Sequence, residues 1–157
     1  MTEIRKKSTN WLSLSAFILT VLGLGYLVGF VTRPAEWYMT LVKPPLNPPS
    51  WLFAPVWTAL YVCIAVAGNR VWQISPNGNA MKIWFVQMVL NFAWSPIFFL
   101  AHNLIAALII AIAMLAAIVG FIIATWKTDR IAALLFLPYA GWVSFATYLN
   151  ASLAYLN

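Results

Sequence analysis

Acidic residues are scarce in this 157-residue chain; Glu3, Glu36 and Asp129 are all it has. All three fall outside the long apolar runs. A charge inside a membrane is costly and is kept for function, so its absence argues against proton- or ion-coupled transport. Histidine and cysteine are scarcer still, at one each. His102 sits in a short link with no Cys, Asp or Glu nearby, which favours a solvated loop residue over a metal or haem ligand. Cys63 lies within an apolar run, excludes an internal disulfide and carries no compartment signal. No Ser/His/Asp or Cys/His arrangement can be assembled within the apolar runs, which argues against hydrolytic chemistry. Charged residues make up 8% of the chain, against about 25% in a soluble domain. The basic ones are spread between apolar runs, so the net charge of +6 is no sign of nucleic-acid binding.

What is present is apolar: 64% of residues are hydrophobic and the mean hydropathy is +0.87. A bilayer core of roughly 30 Å takes about 20 helical residues. Five windows meet that length, at about 11–31, 51–71, 81–101, 104–126 and 131–153. They are continuously apolar, without the ten-residue alternation of a membrane β-barrel. The expected fold is an all-α integral membrane protein, a five-transmembrane-helix bundle forming a single membrane domain over residues 1–157. The links after the second, third and fourth windows are short enough to make the helices they join antiparallel neighbours. Arg5, Lys6 and Lys7 before the first window imitate a secretory signal, but the apolar run is longer than usual and no A-x-A-like site follows it. A retained first helix is expected. Seven basic residues (Arg5, Lys6, Lys7, Arg70, Lys82, Lys127 and Arg130) lie on the N-terminal side, against Arg33 and Lys43 on the other. That bias predicts a cytoplasmic N-terminus, with the C-terminus opposite.

Between Trp37 and Tyr61 the chain reads WYMTLVKPPLNPPSWLFAPVWTALY, with five of its nine prolines and three of its nine tryptophans. Pro44, Pro45, Pro48 and Pro49 fix φ, remove donors and restrict the residues before them. The loop at 33–50 is therefore expected to hold one bent shape, a lid on the side away from the cytoplasm.

Two helix faces gather polar and aromatic side chains. In the third window Trp84, Gln87, Asn91, Trp94 and Phe98 follow steps of 3, 4, 3 and 4, which aligns them on one face. Amides in hydrocarbon need partners, so this stripe should point into the bundle. Interhelical glue and a ligand-facing role both fit it. In the fifth window Tyr139, Trp142, Ala146 and Asn150 share a face, Ala146 leaves space beside Trp142, and Pro138 allows a kink. Trp57 and Tyr61 form an i, i+4 pair in the second window. Trp11, Trp51 and Trp126 read as interface anchors. Gly25-xxx-Gly29 and Ala116-xxx-Gly120-xxx-Ala124 permit close helix approach, within the bundle or between two copies.

Three blocks, WYMTLVKPPLNPPSWLFAPVWTALY, QMVLNFAWSPIFF at 87–99 and LLFLPYAGWVSFATYLN at 134–150, together resemble the translocator protein / tryptophan-rich sensory protein family, also called peripheral-type benzodiazepine receptors. The resemblance implies a five-helix bundle, often a homodimer, that binds porphyrins and related tetrapyrroles such as protoporphyrin IX or haem-type molecules. Isoquinoline carboxamide and benzodiazepine drugs are further ligands it implies. Carried over by position, the pocket would take Tyr38 and Pro48 from the lid, Trp57 from the second helix, Asn91 and Trp94 from the third, and Trp142 and Ala146 from the fifth. The indoles would supply flat apolar faces, each contact contributing about 0.5–1.5 kcal/mol beyond burial. Asn91 would supply a directional hydrogen bond.

Two departures stand out. Leu46 occupies a position where many relatives carry tryptophan. Neither Tyr148 nor Tyr155 is followed by a basic residue, so the C-terminal cholesterol-recognition pattern is incomplete. The resulting expectation is a multi-pass membrane receptor for tetrapyrroles, acting as sensor, scavenger or carrier under stress. It needs no cofactor or metal and is not an enzyme. The alternatives are facilitated transport of porphyrin or other amphipathic molecules, and light-dependent porphyrin degradation.

Overall fold

A computed structural model describes residues 10–33 and 36–157. Glu3, Arg5, Lys6 and Lys7, on which part of the orientation argument rests, lie outside the described residues. The rest is helical, in the order α1 (Trp11–Val31), α2 (Glu36–Thr40), a 3-10 turn (Ser50–Leu52), α3 (Phe53–Ile74), α4 (Asn79–Phe99), α5 (Leu104–Thr125) and α6 (Arg130–Leu156).

Six α-helices among the described residues replace the expected five. The additional one, α2, is five residues inside the proline-rich lid, too short for any periodic signal. Lys43 Nζ donates to Tyr38 O at 3.0 Å and to Leu41 O at 3.4 Å, satisfying carbonyls at and beyond its C-terminal end. Four stretches are long and apolar enough to cross a membrane: Trp11–Val31, Ser50–Ile74, Leu104–Thr125 and Arg130–Leu156. α4 matches them in length, at 21 residues, but carries Lys82, Gln87 and Asn91. Gln87 and Asn91 are buried in the bundle, together with Trp84 and Phe98. Its lower apolarity comes from Gln87 and Asn91, which face inward, and from Lys82, which is exposed.

Helix ends depart from the apolar windows because capping groups and backbone, not hydropathy, terminate them. α3 continues through Trp72 and Gln73 to Ile74. Asn103 accepts from Ala106 N at 2.9 Å and starts α5, after His102 has turned the chain at φ 52°. Asp129 accepts from Ala132 N at 3.2 Å and starts α6, which runs through Pro138 and on to Leu156.

α1 packs on α3, α3 on α6, α6 on α5 and α5 on α4, while α4 touches α1 and α3 only lightly. The ring is thus loosest where α4 meets α1 and α3. At one end, called the closed end below, Arg70 of α3 grips Asp129 with two short bonds, Nε–Oδ2 at 2.8 Å and Nη2–Oδ1 at 2.9 Å. Nearby Phe121 and Phe136 stack with centroids 4.0 Å apart, both fully buried. Trp84 donates to Ile64 O at 3.0 Å, and its ring fills the space beside Gly68. Gly120 faces α4, where an added Cβ would sit 4.0 Å from Ile83, so at that position the small-residue stripe serves packing within the bundle.

At the opposite end the lid hangs from the α4–α5–α6 side. Trp37 stacks on His102 at 4.1 Å and meets Phe98 edge-on. Tyr38 packs on Phe98 and Phe99. The Asn157 amide accepts from Val42 N at 2.9 Å and donates to Val42 O at 3.2 Å.

Candidate functional site

Beneath the lid lies a cavity of about 1100 Å³, walled by α1, α3, α4 and α6, with Ala111 and Met114 of α5 also contributing. It lies on the side where α4 meets α1 and α3 only lightly, while α4, α5 and α6 stay packed at the lid end through Phe98, Ala107 and Leu153. All seven residues picked out in the sequence, Tyr38, Pro48, Trp57, Asn91, Trp94, Trp142 and Ala146, line it.

Their polar groups are unequally available. Asn91 Oδ1 accepts from Tyr61 at 3.1 Å, and its Nδ2 donates to the Tyr139 phenol oxygen Oη at 2.7 Å. Tyr139 in turn donates to Gln87 Oε1 at 3.0 Å. This chain ties α3, α4 and α6 together, so Asn91 has both of its polar atoms engaged in helix contacts, and the directional bond expected of it goes to tyrosines. Trp94 is likewise occupied: it donates to Asn150 Oδ1 at 3.1 Å and stacks on Phe98 at 4.9 Å. Asn150 completes that bridge by donating to Leu104 O at 2.9 Å. The glue reading of the polar stripes is therefore realised, on the same faces that border the cavity.

Among the described residues, two buried donors have no protein partner, Gln87 Nε2 and Trp142 Nε1. Only Trp142 is part of the cavity wall. Its ring is steadied by edge contact with Phe53 at 5.8 Å, and its N–H is buried behind the wall without a protein partner. Trp57 packs on Tyr61 at 5.4 Å and on Tyr139 at 6.2 Å, which sets its angle. At the lid, burial raises the Tyr38 phenol above its ordinary pKa, opposed by its hydrogen bond to Asn47.

Several wall residues were missed from sequence. Gly25 and Gly29 read as a packing motif, yet both border the cavity. A Cβ at Gly25 would overlap the Tyr61 ring, whereas Gly29 faces open space. Tyr26 of α1 bonds Thr58 of α3 at 2.9 Å, and Phe53 sits where the 3-10 turn gives way to α3. Arg33 and Lys43 counted only as orientation charges, but both are wall residues. Each isolated position lacked a period that could mark it.

Residues 16–156 match the model of the TspO/MBR family. The chain belongs to the TspO/MBR family. Among its relatives, the tryptophan-rich protein TspO of Archaeoglobus fulgidus is 38% identical over 152 residues, covering 94% of this chain and 99% of the relative. The protein of the same description from Chlorobaculum tepidum is 38% identical over 133 residues, covering 82% and 84%. The human translocator protein is 33% identical over 124 residues, covering 73% of this chain and 71% of its own length. This TspO/MBR chain is accordingly a helical membrane protein with sensory and translocator relatives.

Proposed function

We propose that this chain is a membrane receptor for porphyrins and related tetrapyrroles, working as a sensor, scavenger or carrier. The observation that carries the reading is the cavity itself: about 1100 Å³ under a proline-rich, aromatic lid, faced by the indoles of Trp57, Trp94 and Trp142. Pockets for drug-sized ligands hold roughly 300–1,000 Å³, so this one suits a large flat macrocycle. Protoporphyrin IX or a haem-type tetrapyrrole is the proposed ligand, with isoquinoline carboxamide and benzodiazepine drugs as smaller occupants of the same space. In this reading α4 is the fifth transmembrane helix, its polar face satisfied by neighbours and its outer face, with Phe85, Val86 and Val89 exposed, turned to lipid. The N-terminus is cytoplasmic, and the lid and C-terminus lie opposite; a C-terminal reporter active only inside the cell would reverse that. The protein acts as a homodimer, which cross-linking in native membranes would test. Its role is binding and not catalysis, since the described residues of the cavity wall offer no carboxylate or histidine for acid–base work.

Protoporphyrin IX titrated into the purified protein should quench tryptophan fluorescence saturably. Replacing Trp57 and Trp142 together with leucine should weaken binding at least tenfold, about 1.4 kcal/mol. Unchanged affinity in that variant would remove the cavity from the proposal.

A carrier role is favoured over a closed receptor by α1. Tyr26, Leu27 and Phe30 border the cavity while remaining more than half exposed, so the wall there is thin toward the bilayer. Porphyrin counterflow in proteoliposomes, with and without the protein, separates the two.

A further inference from the structure

At the closed end the charges are mostly of one sign. Among the described residues Arg70, Lys82, Lys127 and Arg130 lie there, against Asp129 alone. Asp129 is already committed: Arg70 grips both of its oxygens, and Oδ1 also accepts from Ala132 N to cap α6. That is the ion pair found among the described residues, so Lys82, Lys127 and Arg130 have no acidic partner there.

Two of these cations flank a recess. Where α5 gives way to the turn into α6, Ile122, Ile123, Ala124, Trp126 and Lys127 line a groove of about 370 Å³. It lies on the outer surface of the bundle, with Ile123 70% exposed. The Arg130 guanidinium sits 4.9 Å over the Trp126 ring, which holds a second positive charge beside the groove. From the groove an apolar stripe runs back along α5. Ile105, Ile109, Ile112, Ala116, Val119 and Ile123 follow steps of 4, 3, 4, 3 and 4, and all are exposed. The helix meets α4 and α6 through its other face, buried at Ala111, Ile118 and Phe121.

From this meeting of charge and apolar stripe we propose that the α5–α6 corner binds an anionic phospholipid. Its phosphate lies at Lys127 and Arg130, and an acyl chain follows Ile123, Val119, Ala116 and Ile112. The lengths agree, since half of a bilayer core is roughly 15 Å, about ten helical residues, which reaches from Ile123 to near Ile112. A guanidinium fork and an ammonium both suit phosphate oxygens, and an indole at headgroup level suits the membrane interface. A free phosphate would use the cations and leave the isoleucines bare; a lipid accounts for both. The site is separate from the cavity and holds whatever the cavity binds. A lipid bound there to the folded protein adds stability at the end where the helices are fastened.

Native mass spectrometry in neutral detergent tests this with phosphatidylglycerol and phosphatidylcholine of identical chains. Both carry a phosphate, but only phosphatidylglycerol is anionic overall. The first phosphatidylglycerol should bind about tenfold tighter than the first phosphatidylcholine, and it should raise the thermal unfolding midpoint. Lys127→Gln with Arg130→Gln should shrink the preference to within about twofold and abolish the added stabilisation. Both side chains are exposed, so circular dichroism of that variant should show the helical fold intact. Lys82→Gln removes a charge at the same end but outside the groove, and it should leave the preference unchanged. Glycerol phosphate in large excess should not displace the lipid. Equal binding of the two lipids overturns the proposal, and so does a preference that survives the double substitution. An equal loss in Lys82→Gln reduces the effect to diffuse charge, and displacement by glycerol phosphate makes it a site for soluble anions; either result also overturns it.

Discussion

At the closed end a Cβ on Gly68 would lie 2.5 Å from the Trp84 ring, whereas at the lid end Gly29 has no neighbour within 4 Å. Arg70 at the closed end is locked to Asp129, while Arg33 and Lys43 at the lid end face no acid among the described residues. The same helices pass through both ends. Interdigitated side chains and a satisfied ion pair fasten them at one, and beyond the Asn91–Tyr139 network they part around a cavity. A bundle in lipid can tolerate a large void only if its packing and buried polar bonds are concentrated elsewhere. Stability therefore belongs mainly to the closed end and binding mainly to the lid end.

Arg70→Ala should break that division of labour most severely. It strands Asp129, whose side chain is 5% exposed, at a cost of about 3 kcal/mol. Thermal unfolding in detergent should register the loss, with ligand affinity of the folded fraction unchanged; a parallel fall in affinity would show that the ends are coupled. Tyr139→Phe comes next, leaving Asn91 Nδ2 and Gln87 Oε1 without a partner for about 2 kcal/mol. Because this network borders both regions, stability and affinity should fall together.

Gly68→Ala should cost about 1–2 kcal/mol by forcing Trp84 aside. Asn157→Ala frees Val42 from its paired hydrogen bonds, with about 1 kcal/mol lost and faster ligand association and dissociation in stopped-flow quenching. Unchanged rates would mean that the ring contacts of Trp37 and Tyr38 hold the lid without it. Gly29→Ala, in open space, should change stability by less than about 0.5 kcal/mol. If it proved as damaging as Gly68→Ala, the contrast between the ends would collapse.

Particular residues show what was legible. Trp84, Gln87, Asn91, Trp94 and Phe98 could be placed on one face because an α-helix repeats every 3.6 residues, whatever surrounds it. That Asn91 is occupied by Tyr61 and Tyr139 could not be read, since its partners come from other helices. The helix in the lid escaped notice because five residues carry no period, and α4 falls short of a spanning hydropathy because its polar face is hidden inside. The Gly25–Gly29 motif was visible, but its use was not: the same spacing serves contact at Gly25 and space at Gly29.

The order of apolar runs, the short links and the inward faces follow from local chemistry: hydrocarbon demands helices, and amides in hydrocarbon demand partners. Family membership is legible at that level too, carried by tryptophans and prolines at fixed intervals. Where the bundle closes and where it opens was decided only in three dimensions. Packing depends on which side chains from distant segments meet, such as Gly68 with Trp84 or Arg70 with Asp129, and no interval along the chain encodes that meeting. The cavity is the consequence: it lies where α1 and α3 meet α4 only lightly.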